Sequence, residues 1–385
     1  MTYSDASSQN GGLAMEDVLS KLFNEFDRNK ISRRHWLQAL GLASVMSPMA
    51  AVGQGSCSSP ETKGTPRCNT TPMPAPFEPT GWKTVLLDHL SLRVVDLEKE
   101  AAFYNALMGW KIRSNDGKTI VMDMGKVGCV IMRGGLVPPD TTPARGGGGN
   151  RGPVKALWDG FCFGIEPWDT QKVEAALKTR ALNPVADHNA KENFYSFHVK
   201  DPDGFDLQIS NGNAKNRRTT PANGKLGIEP LFEPTGWQTV YLDHISFSVT
   251  NYKESVAFYK ALLGWIPGGD EGSQDNTTVA PEIGGLLIRG PYNAYAPGAV
   301  APTVRRATMG HIAFGISPFD PDRVKAELEK RHLNARQDTG AIASSPAAEK
   351  DIHTASYKSY HTTTPNGYDL QISNHISGNL PNTTG

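Results

Sequence analysis

The chain has 385 residues, with 39 Lys and Arg against 39 Asp and Glu, 39 Gly, 27 Pro and 38% hydrophobic residues. That length holds two domains, the Gly and Pro content excludes a coiled coil or helical bundle, and a formal net charge of zero offers nucleic acid no general basic face. The 4 cysteines are too few for a disulfide framework at this size, so the core must rest on apolar burial.

Residues 36–52 form the one long apolar run, interrupted by Gln38, Ser44, Ser47 and Pro48, which is too short and broken for a stable membrane span. Ser32-Arg33-Arg34-His35-Trp36-Leu37 precedes it and the small-residue exit Ala51-Val52-Gly53 follows. This order resembles a twin-arginine export signal, which implies that residues 1–53 engage the export machinery and that the mature protein is periplasmic or secreted. Residues 54–76, rich in Ser, Thr, Pro and Gly, read as a flexible stalk in which Cys57 and Cys68 suit a small-loop disulfide.

An internal repeat then sets the architecture. Residues 77–110 and 232–265 agree at 20 of 34 positions at a constant offset of 155, and two further segment pairs follow, 163–183 with 314–334 and 198–211 with 361–374. Repeats of this length are whole domains. The chain therefore divides into a first domain (77–211), a linker (212–231), a second domain (232–376) and a tail (377–385).

In each half the pattern runs strand, helix, strands, and then the same again. Leu242 to Val249 alternates, with Ile245, Phe247 and Val249 on one face and His244, Ser246 and Ser248 on the other, as a strand does between a packed helix and a cavity. Asn251 suits a helix N-cap, Val256, Phe258, Tyr259 and Leu262 form the apolar stripe, and Gly264 ends the helix. The construction recurs at His311 to Ile316, followed by a helix opening at Pro318 or Pro321 that buries Val324, Leu328 and Leu333. Cys129 and Cys162 fall in apolar strands and read as core thiols.

Asp-His in the first strand of each copy, Ala-Phe-Tyr-x-Ala-Leu-x-Gly-Trp on the helix, and Asp-Pro-Asp-Gly-x-x-Leu in the closing hairpin resemble the vicinal oxygen chelate superfamily. That superfamily includes glyoxalases, bleomycin-resistance proteins, methylmalonyl-CoA epimerases and extradiol dioxygenases. The resemblance covers residues 84–211 and 239–374. It implies an α+β fold of two domains, each made of two paired βαβββ modules forming a cupped mixed sheet with helices outside.

Carried over residue by residue, the resemblance makes His244, His311 and Gln371 the metal ligands of the second domain. Glu is usual at the last position; Gln371 supplies an oxygen without charge. Two imidazoles and a carboxylate on one side leave the other side open, which suits Fe(II) first and Mn, Ni or Zn next; with Gln371 the missing anion weakens retention of the metal, although certain glyoxalase-type enzymes use Gln as a ligand. In the first domain His89 and Gln208 match His244 and Gln371, but Gly160 stands opposite His311, so this site, with His198, reads as vestigial. His361 lies ten residues before Gln371 on the same hairpin, where it is placed to act as acid or base. Tyr357 and Tyr360 flank it, as Phe194 and Tyr195 flank His198, and either line a substrate pocket by stacking or fill the barrel.

Arg145-Gly146-Gly147-Gly148-Gly149-Asn150-Arg151 lacks the strand and helix of a phosphate loop, and Arg305-Arg306, which precede His311, read by default as a solvated pair, with attraction of an anionic substrate as the other reading. The expected function is a metal-dependent oxidoreductase of the ring-cleaving dioxygenase type, active in its second domain on a small oxygen-bearing substrate. A metal-free small-molecule binder of the bleomycin-resistance type is the alternative, and a lyase or isomerase of the glyoxalase or epimerase type the third reading.

Overall fold

A computed structural model describes residues 72–137, 155–215, 228–269, 273–290, 303–340, 351–376 and 380–381. The export signal, Cys57, Cys68, the Gly-rich run at 145–151, the middle of the linker and most of the tail lie outside the described residues.

The first half runs β1 (Lys83–Val94), α1 (Leu97–Met108), β2 (Lys111–Asn115), β3 (Thr119–Asp123), β4 (Cys129–Arg133), β5 (Ala156–Glu166), α2 (Thr170–Thr179), β6 (Val185–Asn189), β7 (Phe194–Lys200) and β8 (Asp206–Ser210). Its eight strands form one mixed sheet in the order β2-β3-β4-β1-β5-β8-β7-β6, in which β1 with β4 and β5 with β8 are the parallel pairs. The second half runs β9 (Gln238–Ser248), α3 (Tyr252–Leu263), β10 (Gln274–Ala280), β11 (Gly284–Arg289), β12 (Thr308–Ser317), α4 (Pro321–Lys330), β13 (Arg336–Asp338), β14 (Ser359–Thr363) and β15 (Asp369–Ser373). Its seven-stranded sheet has the order β10-β11-β9-β12-β15-β14-β13, and the counterpart of β2 is reduced to a bridge between Ile266 and Thr278. Two short strands, β16 (His375–Ile376) and β17 (Leu380–Pro381), pair beyond it. The α+β architecture of paired modules is the one expected. Among the described residues no helix is long and apolar enough to cross a membrane.

Local chemistry explains the element boundaries. The Asn251 side chain accepts from the Lys253 and Glu254 amides, and Gly264 closes α3 at φ +71°. Asp320 caps α4, which makes Pro321 the first helical residue; Leu333 lies beyond the helix end and is half-buried. Cys129 and Cys162 are buried, but they stand on the face that carries His89, not on the face that carries Val130, Phe161 and Phe163 in the apolar core. Both thiols are nonetheless buried with the core, at 1% and 0% exposure.

The long repeat has a physical use, because each copy caps the helix of the other. Thr80 donates its amide to Ala261 O at 3.0 Å and its hydroxyl to Leu262 O at 2.7 Å, while Thr235 does the same to Ala106 O and Leu107 O at 3.0 and 2.7 Å. Trp265 Nε1 donates to Thr84 Oγ1 at 2.9 Å, and Trp110 Nε1 to Thr239 Oγ1 at 2.8 Å. These bonds satisfy helix C-terminal carbonyls that would otherwise lack partners. Close approach demands glycine here: a Cβ on Gly109 would lie 2.3 Å from Trp237 O, and one on Gly264 2.5 Å from Trp82 O. One continuous apolar core, containing Phe103, Trp110, Phe161, Phe247, Trp265 and Phe314, consequently spans both halves. α1 and α3 are covered on nearly all sides, whereas α2 and α4 bury only Val173 with Leu177 and Val324 with Leu328.

A second tie joins the closing hairpin of the first half to α3. Asp203 Oδ2 accepts from the Thr250 amide at 2.6 Å, and Asp201 accepts from the Asp203 and Phe205 amides and from the Tyr259 hydroxyl. Burial dominates nonetheless and raises the Asp201 carboxyl from 3.8 to about 6. A folded-state pKa raised above the unfolded one gives stability that is present below about pH 4 and lost as pH rises to about 6, at most about 3 kcal/mol. Asp201→Asn keeps the acceptor for both amides and removes the buried charge. It is expected to raise stability at pH 7.5 by about 1–2 kcal/mol and to flatten the slope between pH 4 and 6 in denaturant unfolding; a loss at pH 7.5 would contradict this account.

Candidate active site

In the second sheet β9, β12, β15 and β14 lie side by side. The register sets His244 opposite Ala313, Ala313 opposite Gln371, and Gln371 opposite His361, with His311 one pleat away between Ser246 and Asp369. In-register neighbours share a face, so His244, His311, Gln371 and His361 all rise from one side of the sheet while Ile245, Ile312, Leu370 and Tyr360 enter the core on the other. Tyr360 is thus not a substrate-pocket residue. Side chains alternate along β14, and with His361 on the polar face Tyr360 must take the apolar one, where it is 2% exposed.

His244 Nε2 and His311 Nε2 are 3.0 Å apart. His244 Nδ1 lies 3.1 Å from Asp243 Oδ1, a carboxylate placed to accept an Nδ1 proton, and Nε2 faces His311. Burial opposes ionisation of Asp243, but hydrogen bonds from His244 and His375 outweigh it and hold this carboxyl far below the usual range. Burial, and then the fields of His244 and His361, push His311 well below its ordinary pKa, so at neutral pH it is uncharged. Gln371 Nε2 donates to Ser359 Oγ at 2.8 Å, to Tyr357 OH at 3.0 Å and to Asp338 Oδ2 at 3.4 Å. Its Oε1 is buried and accepts no hydrogen bond.

His361 has the opposite character. Its Nε2 lies 3.2 Å from Asp338 Oδ2 and its Nδ1 3.2 Å from Asp369 Oδ2. Burial disfavours the charged ring, yet the two carboxylates outweigh it and raise its pKa, and Arg336 also bonds Asp369. One ligand atom each of His311, His361 and Asp369 lie within 4.8 Å of one another. Both nitrogens of His361 are engaged by carboxylates, whereas His244 Nε2 and His311 Nε2 face each other.

Two imidazole nitrogens each about 2.1 Å from one ion and at a right angle are about 3.0 Å apart. The His244–His311 spacing meets that requirement, and the orphaned Gln371 carbonyl is an oxygen donor on the same face. The donors present therefore fit a borderline divalent ion with open positions.

Among solved structures, the chain is similar to BphC, a halotolerant catechol dioxygenase, at 15% identity over 78% of this chain and 90% of that one, with a TM-score of 0.51. It is also similar to the Mn(II)-bound glyoxalase from Novosphingobium aromaticivorans, at 15% identity over 76% and 82% of the two chains and a TM-score of 0.48. The chain has the vicinal oxygen chelate fold. No protein-family model matches it, and no curated protein does.

Seen in this fold, the first half keeps most of the apparatus. His89 Nδ1 is 2.8 Å from Asp88 Oδ1, Gln208 Nε2 donates to Ser196 Oγ at 2.8 Å, and His198 Nδ1 is 2.7 Å from Asp206 Oδ2. That last bond outweighs burial and raises the His198 pKa, as happens at His361. Gly160 pairs with Ser91 and Asp206 as His311 pairs with Ser246 and Asp369, so the second imidazole is absent. Beside it Ser91, Asp159 and Arg133 form their own polar network. Arg305 is not left to solvent or to an anion: it bonds Glu254, Pro202 O and Asp203.

Sequence reasoning passed over Asp243, Asp338, Asp369 and His375. The repeated Asp-His dipeptide was a signal for Asp243. Asp338 and His375 fall outside the repeated segments, and only the folded sheet brings them to the site.

Proposed function

We propose that the protein is an enzyme carrying one divalent metal ion, Fe(II) in preference to Mn, Ni or Zn, held in its second half by His244 Nε2, His311 Nε2 and Gln371 Oε1. The observation that carries this reading is the 3.0 Å approach of two inward-turned imidazole nitrogens, one of them backed by a carboxylate. When bound, the ion supplies a Lewis acid that chelates adjacent substrate oxygens and offsets developing negative charge. The protein's own residues then divide the remaining tasks. Asp243 fixes the tautomer of His244. Neutral His311 adds no charge that would repel the cation. His361 holds a proton at Nε2, shared with Asp338, for transfer to or from a substrate oxygen. Tyr357 and Ser359 orient Gln371 by accepting from its amide nitrogen. The substrate class is a small molecule with vicinal oxygens, and the reaction class oxidative ring cleavage. Export to the periplasm or beyond rests on the twin-arginine pattern of residues 32–37.

One observation favours the alternative, a metal-free binder: Gln208 and Gln371 both anchor their amide nitrogens on a serine, an arrangement that works without an ion. Fe(II) titration of the full chain under anaerobic conditions, beside Gln371→Glu, separates the readings. The enzyme reading expects one tight site, tightened about tenfold or more when a carboxylate replaces the neutral amide. Absence of tight Fe(II) binding in both proteins would favour the binder.

A further inference from the structure

The two halves differ at the site in more than His311 and Gly160. Tyr357 precedes His361 where the first half has Phe194 before His198, and His375 follows Asn374 where it has Gly212 after Asn211. The backbones at these places are equivalent: a Cβ on Gly315 of β12 would lie 1.8 Å from His375 O, and one on Gly164 of β5 1.8 Å from Gly212 O. The chain leaving the last sheet strand is thus pressed against a glycine in both halves, and only the second half carries a ring there. His375 Nδ1 lies 3.3 Å from Asp243 Oδ1, the same oxygen that His244 Nδ1 approaches at 3.1 Å. The Tyr357 ring meets the His375 ring edge-on, with centroids 4.6 Å apart. Its hydroxyl accepts from Gln371 Nε2 at 3.0 Å, and burial, then the field of Asp243, keep that hydroxyl protonated. His244 and Gln371 are therefore joined behind the site by one run of contacts through Asp243, His375 and Tyr357. In the first half Phe194 has no hydroxyl to hold Gln208, and Gly212 has no imidazole.

We propose that His375 and Tyr357 are positioning residues for the metal site, a brace that holds Asp243 against His244 and sets the Gln371 amide, and that this brace separates the two halves as much as His311 does. The inference rests on the metal reading above, since it concerns two of the ligands named there. Neither residue is itself assigned as a ligand. His375 acts on Asp243 and through it on His244, whereas Tyr357 acts on Gln371 directly. Loss of a partner that orients a ligand costs metal affinity about 10- to 100-fold.

Tyr357→Phe and His375→Gly carry the first half's own residues, so both are expected to fold, with near-ultraviolet circular dichroism as the check. Anaerobic Fe(II) titration of the full chain is expected to show each weakened by about tenfold or more. His375→Asn restores an N–H donor at the place of Nδ1 and is expected to recover most of the wild-type affinity. A second readout needs no metal, because two-bond proton–nitrogen correlation spectra report which His244 nitrogen carries the proton. The metal-free wild type is expected to hold it on Nδ1, and His375→Gly to show a mixture of both tautomers. Wild-type Fe(II) affinity in folded Tyr357→Phe and His375→Gly would overturn the proposal. A wild-type chain that binds no Fe(II) would remove the metal reading itself; the brace is then judged by the tautomer alone, and an unchanged His244 tautomer in His375→Gly overturns it.

Discussion

Replacing His311 by Ala is expected to weaken Fe(II) retention in the second half by at least about 100-fold, with a parallel loss of turnover. The reasoning is local. On that face His244 Nε2 and His311 Nε2 meet each other, 3.0 Å apart, and Gln371 adds an oxygen without charge. Removal of one strong donor from so small a set costs more than the 10- to 100-fold that loss of a ligand's supporting partner costs. The fold should be spared, since the first half carries Gly160 at the same register position. Unfolding of the metal-free variant is expected to match that of the metal-free wild type. Unchanged Fe(II) affinity in the folded variant would instead remove His311 from the ligand set.

Trp265→Ala is expected to lower stability by about 3–5 kcal/mol in equilibrium unfolding. Trp265 is 1% exposed, stacks on Tyr259 at 4.6 Å and meets Phe163 of the other half edge-on at 5.2 Å. Its indole N–H also donates to Thr84, whose hydroxyl reaches the end of α3, so truncation opens a cavity and breaks one of the links between the two halves. Trp110→Ala should behave alike, because Trp110 occupies the equivalent place against Tyr104, Phe314 and Thr239. A loss below about 1 kcal/mol would mean that the two halves do not share a core.

The repeat made much of the fold legible. The alternation of Leu242 to Val249 placed His244 on the polar face, and Asn251 and Gly264 marked both ends of α3. What the repeat could not show was why its longest segment is so similar: Pro-Thr-Gly-Trp caps the helix of the opposite copy, a contact visible only once both halves are packed. At the site, His244, His311, His361 and Gln371 do share one face of the sheet, each identified by its position in a strand. Tyr360 was misplaced because a one-residue step reverses the face. The charge state of His361 was not legible, because it is set by Asp338, a residue on a short strand outside any repeated segment. An apolar run such as Phe161-Cys162-Phe163 looks uniform in sequence, although alternate residues in it face core and cup.

The central claim concerns the ion between His244 and His311, and anomalous X-ray scattering at the iron edge from crystals of the Fe(II)-loaded chain tests it most directly. The account predicts an iron peak about 2.1 Å from each Nε2, with the Gln371 carbonyl turned to it and His361 still clasped by Asp338 and Asp369. A direct hydrogen bond between the two imidazoles with no iron peak beside them would contradict it.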